Sequence, residues 1–160
     1  MFDVRRIFAG SRRSVASGPF ERGAEALLRG AHALALEEFD SAVEASLGNA
    51  GVRPAAYNKR GVALVALGRP DDALLSFCAA LECDDRCAPA LVNIGNRLLE
   101  DGEYLDAVDY YEAALRADEG YHLAHRNLGV AFKRLGRRPE AVRAFRAAAR
   151  LEAHPRRGRA

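Results

Sequence analysis

No apolar run in the 160-residue chain approaches the ~20 residues that a membrane-crossing helix needs, which excludes a spanning segment of that kind. Cysteine is scarce and odd in number: Cys78, Cys83 and Cys87 are the three, and no secretory-type apolar core precedes them. That combination argues against a disulfide framework and for a reducing compartment, so a cytoplasmic location is expected. Their spacings, with four and then three residues between them, differ from the Cys-x-x-Cys pair usual in structural zinc sites. His122 and His125 lie a repeat away, and His32 and His154 further off. The three thiols are therefore read as small buried side chains, and no metal or other cofactor is expected. Lysine is nearly missing, with Lys59 and Lys133 against 22 arginines, a compositional bias into which we read no function. An excess of one charge is missing too: a net charge of +2 gives the whole chain no reason to bind nucleic acid or an anionic membrane. The sequence has no phosphate-binding loop, nucleophile elbow or His-Glu-x-x-His motif. Tyr104, Tyr110 and Tyr111 read as interface and core aromatics, and an enzyme is not expected.

What the chain does have is a period. Shifting the sequence so that Gly61 falls on Gly95 also puts Gly95 on Gly129, and it superimposes Gly68, Gly102 and Gly136. The same shift aligns Ala73, Ala107 and Ala141, then Phe77, Tyr111 and Phe145, then Ala80, Ala114 and Ala148. A period of about 34 residues is the signature of stacked helical hairpins. The hydrophobic fraction of 49% is ample for a core and leans on alanine, which suits close helix packing. Each first helix, about 14 residues, is predicted to end at Gly68, Gly102 or Gly136, in the left-handed conformation of a C-cap. The second helices open at Pro70-Asp71-Asp72 and Pro139-Glu140, where proline is tolerated. Mid-helix glycine at 61, 95 and 129 costs up to ~1 kcal/mol each against alanine. Their shared cause is expected to be close approach of Ala73, Ala107 and Ala141, with the aromatics filling the space between the helices.

With Gly–x6–Gly–x4–Ala–x3–aromatic–x2–Ala matched three times, the chain resembles the tetratricopeptide repeat family. The resemblance implies an all-α, right-handed α-solenoid of antiparallel helix pairs with regular repeats at 54–87, 88–121 and 122–155. Residues 1–20 form a basic arm with Arg5, Arg6, Arg12 and Arg13, read as mobile or marginally helical in preference to an organellar transit peptide. Residues 21–53 read as a degenerate terminal hairpin. Gly30 is placed in register with Gly61, three short of the period, and Ser46 stands where an aromatic is expected. Leu47-Gly48-Asn49-Ala50-Gly51 cuts the second helix short. Residues 156–160 form a basic tail.

In the family the first helices line a concave groove that receives a peptide or helix of a partner protein. Helical spacing picks out the facing residues: Asn58, Val62 and Val65; Val92, Asn96 and Leu99; Arg126, Val130 and Lys133, with Lys59, Asn93 and Asn127 beside them and Arg134 at the last end. Amides carry donor and acceptor together, so such a row can pair with an extended backbone, or bond neighbouring helices and hold the repeat geometry. One branch of the family clamps the C-terminal carboxylate of heat-shock chaperones. Here the corresponding places hold Asn58, Val62, Asn93, Leu123 and Asn127, of which Asn93 alone matches, so that clamp is not expected.

Charge is uneven along the chain. Residues 88–121 hold eight acids against Arg97 and Arg116, and 122–155 hold eight bases against Glu140 and Glu152, net −6 beside net +6. The basic block, with Arg126, Lys133 and Arg134, is expected to favour acidic residues in a partner. Alternatively, the opposed blocks join copies of the chain or dock it into a complex as a structural subunit. Arg143, Arg146 and Arg150 recur at helical spacing as a solvated or docking stripe.

Overall fold

The computed structural model describes residues 18–46 and 52–154, and these form eight helices and no strand. Residues 1–17 of the basic arm, the 47–51 run and the tail lie outside the described residues. Four antiparallel hairpins follow one another: α1 (Pro19–Leu28) with α2 (His32–Ala45), α3 (Arg53–Ala66) with α4 (Pro70–Cys83), α5 (Ala88–Asp101) with α6 (Tyr104–Ala117), and α7 (His122–Arg134) with α8 (Arg138–Ala153). Each helix packs on the next, and α1 also touches α3 and α5 touches α7. The first helices thus form an inner row and the second helices an outer one.

Every hairpin turns at a glycine in the left-handed region: Gly30, Gly68, Gly102 and Gly136 have φ between 72° and 86°. The residue after each donates its N–H five residues back, as in Arg69 to the Leu64 carbonyl and Glu103 to the Leu98 carbonyl, both at 2.9 Å. This bond satisfies a helix-end carbonyl that would otherwise lack a partner.

Inside each hairpin the glycine of the first helix faces the aromatic of the second. A Cβ on Gly61 would lie 2.3 Å from Phe77 Cε1, one on Gly95 2.7 Å from Tyr111 Cε1, and one on Gly129 2.7 Å from Phe145 Cε1. The obstacle is the ring and not the alanine expected from the sequence; Ala73 and Ala107 are fully buried elsewhere in the same interface.

The first hairpin obeys the same rule, and this corrects its register. A Cβ on Gly23 would lie 2.9 Å from Phe39 Cε1, and Phe39 is fully buried. Gly23, Gly30, Ala35, Phe39 and Ala42 therefore carry the whole pattern, and the step from Gly23 to Gly61 exceeds the regular step from Gly61 to Gly95 by four. The extra residues fall between α2 and α3, and nothing in the pattern is lost. Gly30 is the turn glycine, not the counterpart of Gly61. The aromatic is Phe39, in the middle of α2, and α2 has the same 14 residues as α4 and α6. Ser46 is buried, and its hydroxyl donates to the Val43 carbonyl at 2.8 Å.

The core is a chain of small clusters strung along the solenoid. One holds Phe39 with Ala26, Ala35 and Ala63, the next Phe77 with Leu64 and Ile94, and the third Tyr111 with Leu128 and Phe132. A polar staple ties the first two hairpins together. Arg60 donates from Nε to Asp40 at 2.6 Å and from a terminal nitrogen to the nearly inaccessible Ser76 hydroxyl at 2.7 Å.

Cysteine burial differs from expectation. Cys87 is buried at the head of α5, but Cys78 and Cys83 are exposed on the outer side of α4. Burial pushes the Cys87 thiol above its ordinary pKa; a hydrogen bond from the Ala90 backbone opposes it, and the nearby Asp84 charge adds the smallest push upward. A thiol-reactive dye in native conditions is expected to label Cys78 and Cys83 quickly and Cys87 at least about tenfold more slowly, because the thiolate is the reacting species. Mass spectrometry of timed digests reads this directly.

Candidate functional site

The inner face is built from one side of α3, α5 and α7, and the sequence sets it out in steps of its own period. At its centre, Asn93 donates to Asn58 Oδ1 at 2.8 Å, linking α5 to α3. One repeat on, Asn96 Oδ1 accepts from Asn127 Nδ2 at 2.7 Å and from the Tyr111 hydroxyl at 2.9 Å, linking α5 to both α7 and α6. Burial pushes the Tyr111 phenol well above its usual pKa, so it stays protonated and keeps donating. These bonds leave the Oδ1 and the second N–H of Asn93 and Asn127 uncommitted, since an amide carries two donors and an acceptor. Helix bonding is therefore the observed use of the amide row, and the remaining valences point the way to a second use.

Two concavities flank the Asn58–Asn93 pair. One, of about 320 Å³, is apolar on two sides: Val62, Val65 and Ala66 from α3, Leu74 and Phe77 from α4, with Asn93, Asn96, Arg97 and Glu100 closing it from α5. The other is a wider depression of about 630 Å³ with Asn58, Lys59, Asp84, Arg86, Tyr121 and Leu123 on its walls. Val62 and Asn93 line both.

The expected residues divide as follows. Val62, Asn93 and Asn96 line the concavities, half-buried, and Lys59 lines the wider one, exposed. Leu99, Asn127 and Val130 are half-buried, and Arg126, Lys133 and Arg134 are exposed. Asn58 is 6% exposed and acts mainly as Asn93's acceptor. Val92 is a correction: it is 3% exposed and belongs to the core between α5, α6 and α7, so it offers no groove surface. The shift from Asn58 to Val92 keeps the period but turns a polar wall position into a core one.

Sequence reasoning missed Leu74, because it sits on a second helix and reaches the cavity past Phe77. It also missed Arg97 and Glu100. Arg97 is held by Asp101 at 2.6 Å, an i,i+4 pair legible from spacing alone. Among the described residues no group of three His, Cys, Asp or Glu side chains is placed to hold a metal ion, and no helix is long and apolar enough to cross a membrane.

A sequence profile of the tetratricopeptide repeat matches residues 20–90 and 92–160. The chain belongs to the tetratricopeptide repeat family. No curated protein matches the sequence. Several solved structures share the fold. The MamA 41-end structure from Desulfovibrio magneticus RS-1 superimposes with a TM-score of 0.66 at 22% identity, over 84% of this chain and 74% of that one. YrrB, described as a repeat protein of this family with an unusual peptide-binding site, gives 0.62 at 22% identity, over 87% and 69%. The second such domain of Spaghetti (RPAP3), bound to the HSP90 peptide SRMEEVD, gives 0.58 at 22% identity, over 61% and 91%. At these identities the likeness is one of fold. It makes this tetratricopeptide repeat chain an α-solenoid, as the hairpin stacking already required.

Proposed function

We propose that this protein is a non-enzymatic adapter whose inner face binds an extended peptide or helix of a partner protein. The observation that carries the reading is the apolar cavity beside Asn93 and Asn96, with uncommitted amide groups at its edge. Peptide sites combine these two features: pockets take alternate side chains, and polar groups meet the backbone. That two proteins of like fold are described with peptides or a peptide-binding site supports the same use of the solenoid here.

The repeat register adds a direction. At the ends of successive first helices stand Leu27 and Leu28, then Val65 and Ala66, then Leu99 and Glu100, then Lys133 and Arg134. Leu28 is 90% exposed. The inner rim thus runs from apolar at the first hairpin to basic at the last, which suits a segment apolar at one end and acidic at the other. The free thiols accord with a reducing setting, and we place the adapter in the cytoplasm.

Val65→Glu is expected to weaken binding of peptides selected from a random dodecamer library by at least about tenfold, by putting a charge into the cavity. Lys133→Glu/Arg134→Glu is expected to weaken acidic peptides selectively. Calorimetric titration, with helicity checked by circular dichroism, decides. Unchanged affinity in Val65→Glu removes the groove from the account. A second reading, a structural subunit that assembles through its charged outer faces, is favoured by Asp109 and Glu112 on α6 and Arg143 and Arg146 on α8, all exposed and outside the ion pairs among the described residues.

A further inference from the structure

The outer row carries its charge in bands, on the side of the solenoid away from the groove. Residues 75, 109 and 143 occupy equivalent places, as do 78, 112 and 146, and then 82, 116 and 150, and all are exposed. On α6 the band is acidic over Asp106, Asp109 and Glu112, with Leu105 beside it at 64% exposure, and it ends at the basic Arg116. On α8 it is basic: Arg143, Arg146 and Arg150, which edge an open depression of about 670 Å³ floored by Ala149 and Ala153. Among the described residues none of these three acids and three α8 arginines joins an ion pair. Glu140, three residues before Arg143, is already paired with Arg137 at 2.9 Å.

Each band is unfavourable to itself, because like charges three or four residues apart on a helix destabilise it by a few tenths of a kcal/mol per pair. The two bands correspond at two places of the repeat, Asp109 with Arg143 and Glu112 with Arg146, the two places lying about 4.5 Å apart along each helix at 1.5 Å per residue. They also sit on neighbouring helices of the outer row.

We propose that a second copy of this chain docks on this face, with α8 of each copy lying over α6 of the other. A two-fold axis lying in the interface, running between α6 and α8 and along them, exchanges the two bands. Asp109 then faces Arg143 and Glu112 faces Arg146 at both crossings, Arg116 meets Arg150 at one end of each, and the assembly closes as a dimer instead of growing into a fibre. Leu105 supplies apolar contact at the edge, and the alanine floor beside the arginines lets a helix approach closely. A contact of two helices against two falls below the ~1,200 Å² of a standard interface, so the dimer is weak and sensitive to salt. The groove stays open in both copies, so the dimer presents two peptide sites facing away from each other.

The test is sedimentation velocity of the full chain over about 1 µM to 1 mM. The wild type is expected to dimerise at low salt, with an association constant at least about tenfold lower at high salt. Arg143→Glu/Arg146→Glu alone and Asp109→Arg/Glu112→Arg alone are expected to be monomers, since each places like bands opposite one another. Their equimolar mixture is expected to dimerise, because two acidic bands then cover two basic ones. A wild type that stays monomeric at low salt overturns the proposal irrespective of how the variants fold. So does a dimer that neither variant weakens, or a mixture of folded variants that remains monomeric.

Discussion

Gly61→Ala is expected to destabilise the protein by about 2 kcal/mol, although it removes a helix-breaking residue. On propensity alone alanine gains ~1 kcal/mol in a helix interior. Against this, the new Cβ would sit 2.3 Å from Phe77 Cε1 and 2.7 Å from Cδ1, well inside van der Waals contact. Phe77 is 3% exposed, and its cluster includes Leu64 and Ile94, so the ring cannot swing away without displacing them. Overpacking of this kind costs ~3 kcal/mol, which outweighs the propensity gain. Thermal melts should fall by several degrees, as a chain of this length loses ~2–4 °C per kcal/mol. The effect should be graded: largest at Gly61, smaller at Gly95 and Gly129, and least at Gly23, where the Cβ would stand 2.9 Å from Phe39. Pairing Gly61→Ala with Phe77→Leu should recover ~1 kcal/mol relative to the sum of the single changes, because the two act on one contact. Strict additivity would mean that something other than the ring requires the glycine.

How far the fold can be read from the residues follows from how it is held. The regular hairpins are legible because three kinds of position keep a fixed local spacing: glycine at 61, 95 and 129, turn glycine at 68, 102 and 136, and the aromatic at 77, 111 and 145. Each part is needed by a contact inside the same hairpin. The period misregisters the first hairpin because it assumes constant linker length. Four residues added between α2 and α3 break the count between hairpins while leaving the spacing within one untouched. Gly23 stands as far from Phe39 as Gly61 does from Phe77, and that separation finds the hairpin without any period at all.

The inner face is less legible. Helical spacing put Asn93, Asn96 and Val62 on it and also put Val92 there. A helix packed between three neighbours has a wide buried arc, and a one-residue rotation takes an apolar side chain from wall to core. The amide bonds among Asn58, Asn93, Asn96 and Asn127 depend on how close the helices come, which spacing along one helix does not report. Leu74 was invisible for the same reason. The cysteines failed on a simpler ground: small apolar-looking residues also occupy the outward stripe of α4, beside Leu75 at 69% exposure.

Phe39→Ala is expected to cost about 3–5 kcal/mol, the range for removing a large buried aromatic. The ring is fully buried, meets Phe20 edge-on at 5.8 Å between centroids, and shares its cluster with Ala26 of α1 and Ala63 of α3. Deleting it opens a cavity bordered by three helices, which Phe20, Leu27 and Leu36 at its edge fill only in part. In a solenoid, stability is the sum of each hairpin and its interface with the next, so the loss should appear first at the end that carries it. Hydrogen exchange is expected to speed up throughout α1 and α2, and then in α3, whose contact with the first hairpin rests on Ala63 and on the Arg60–Asp40 bond at 2.6 Å. Protection in α7 and α8 should change least, because they share no residue with that cluster. A degenerate end hairpin predicts the reverse: a cost under ~1 kcal/mol and no change in exchange beyond α2. That outcome would return the first hairpin to the status of a loosely held cap.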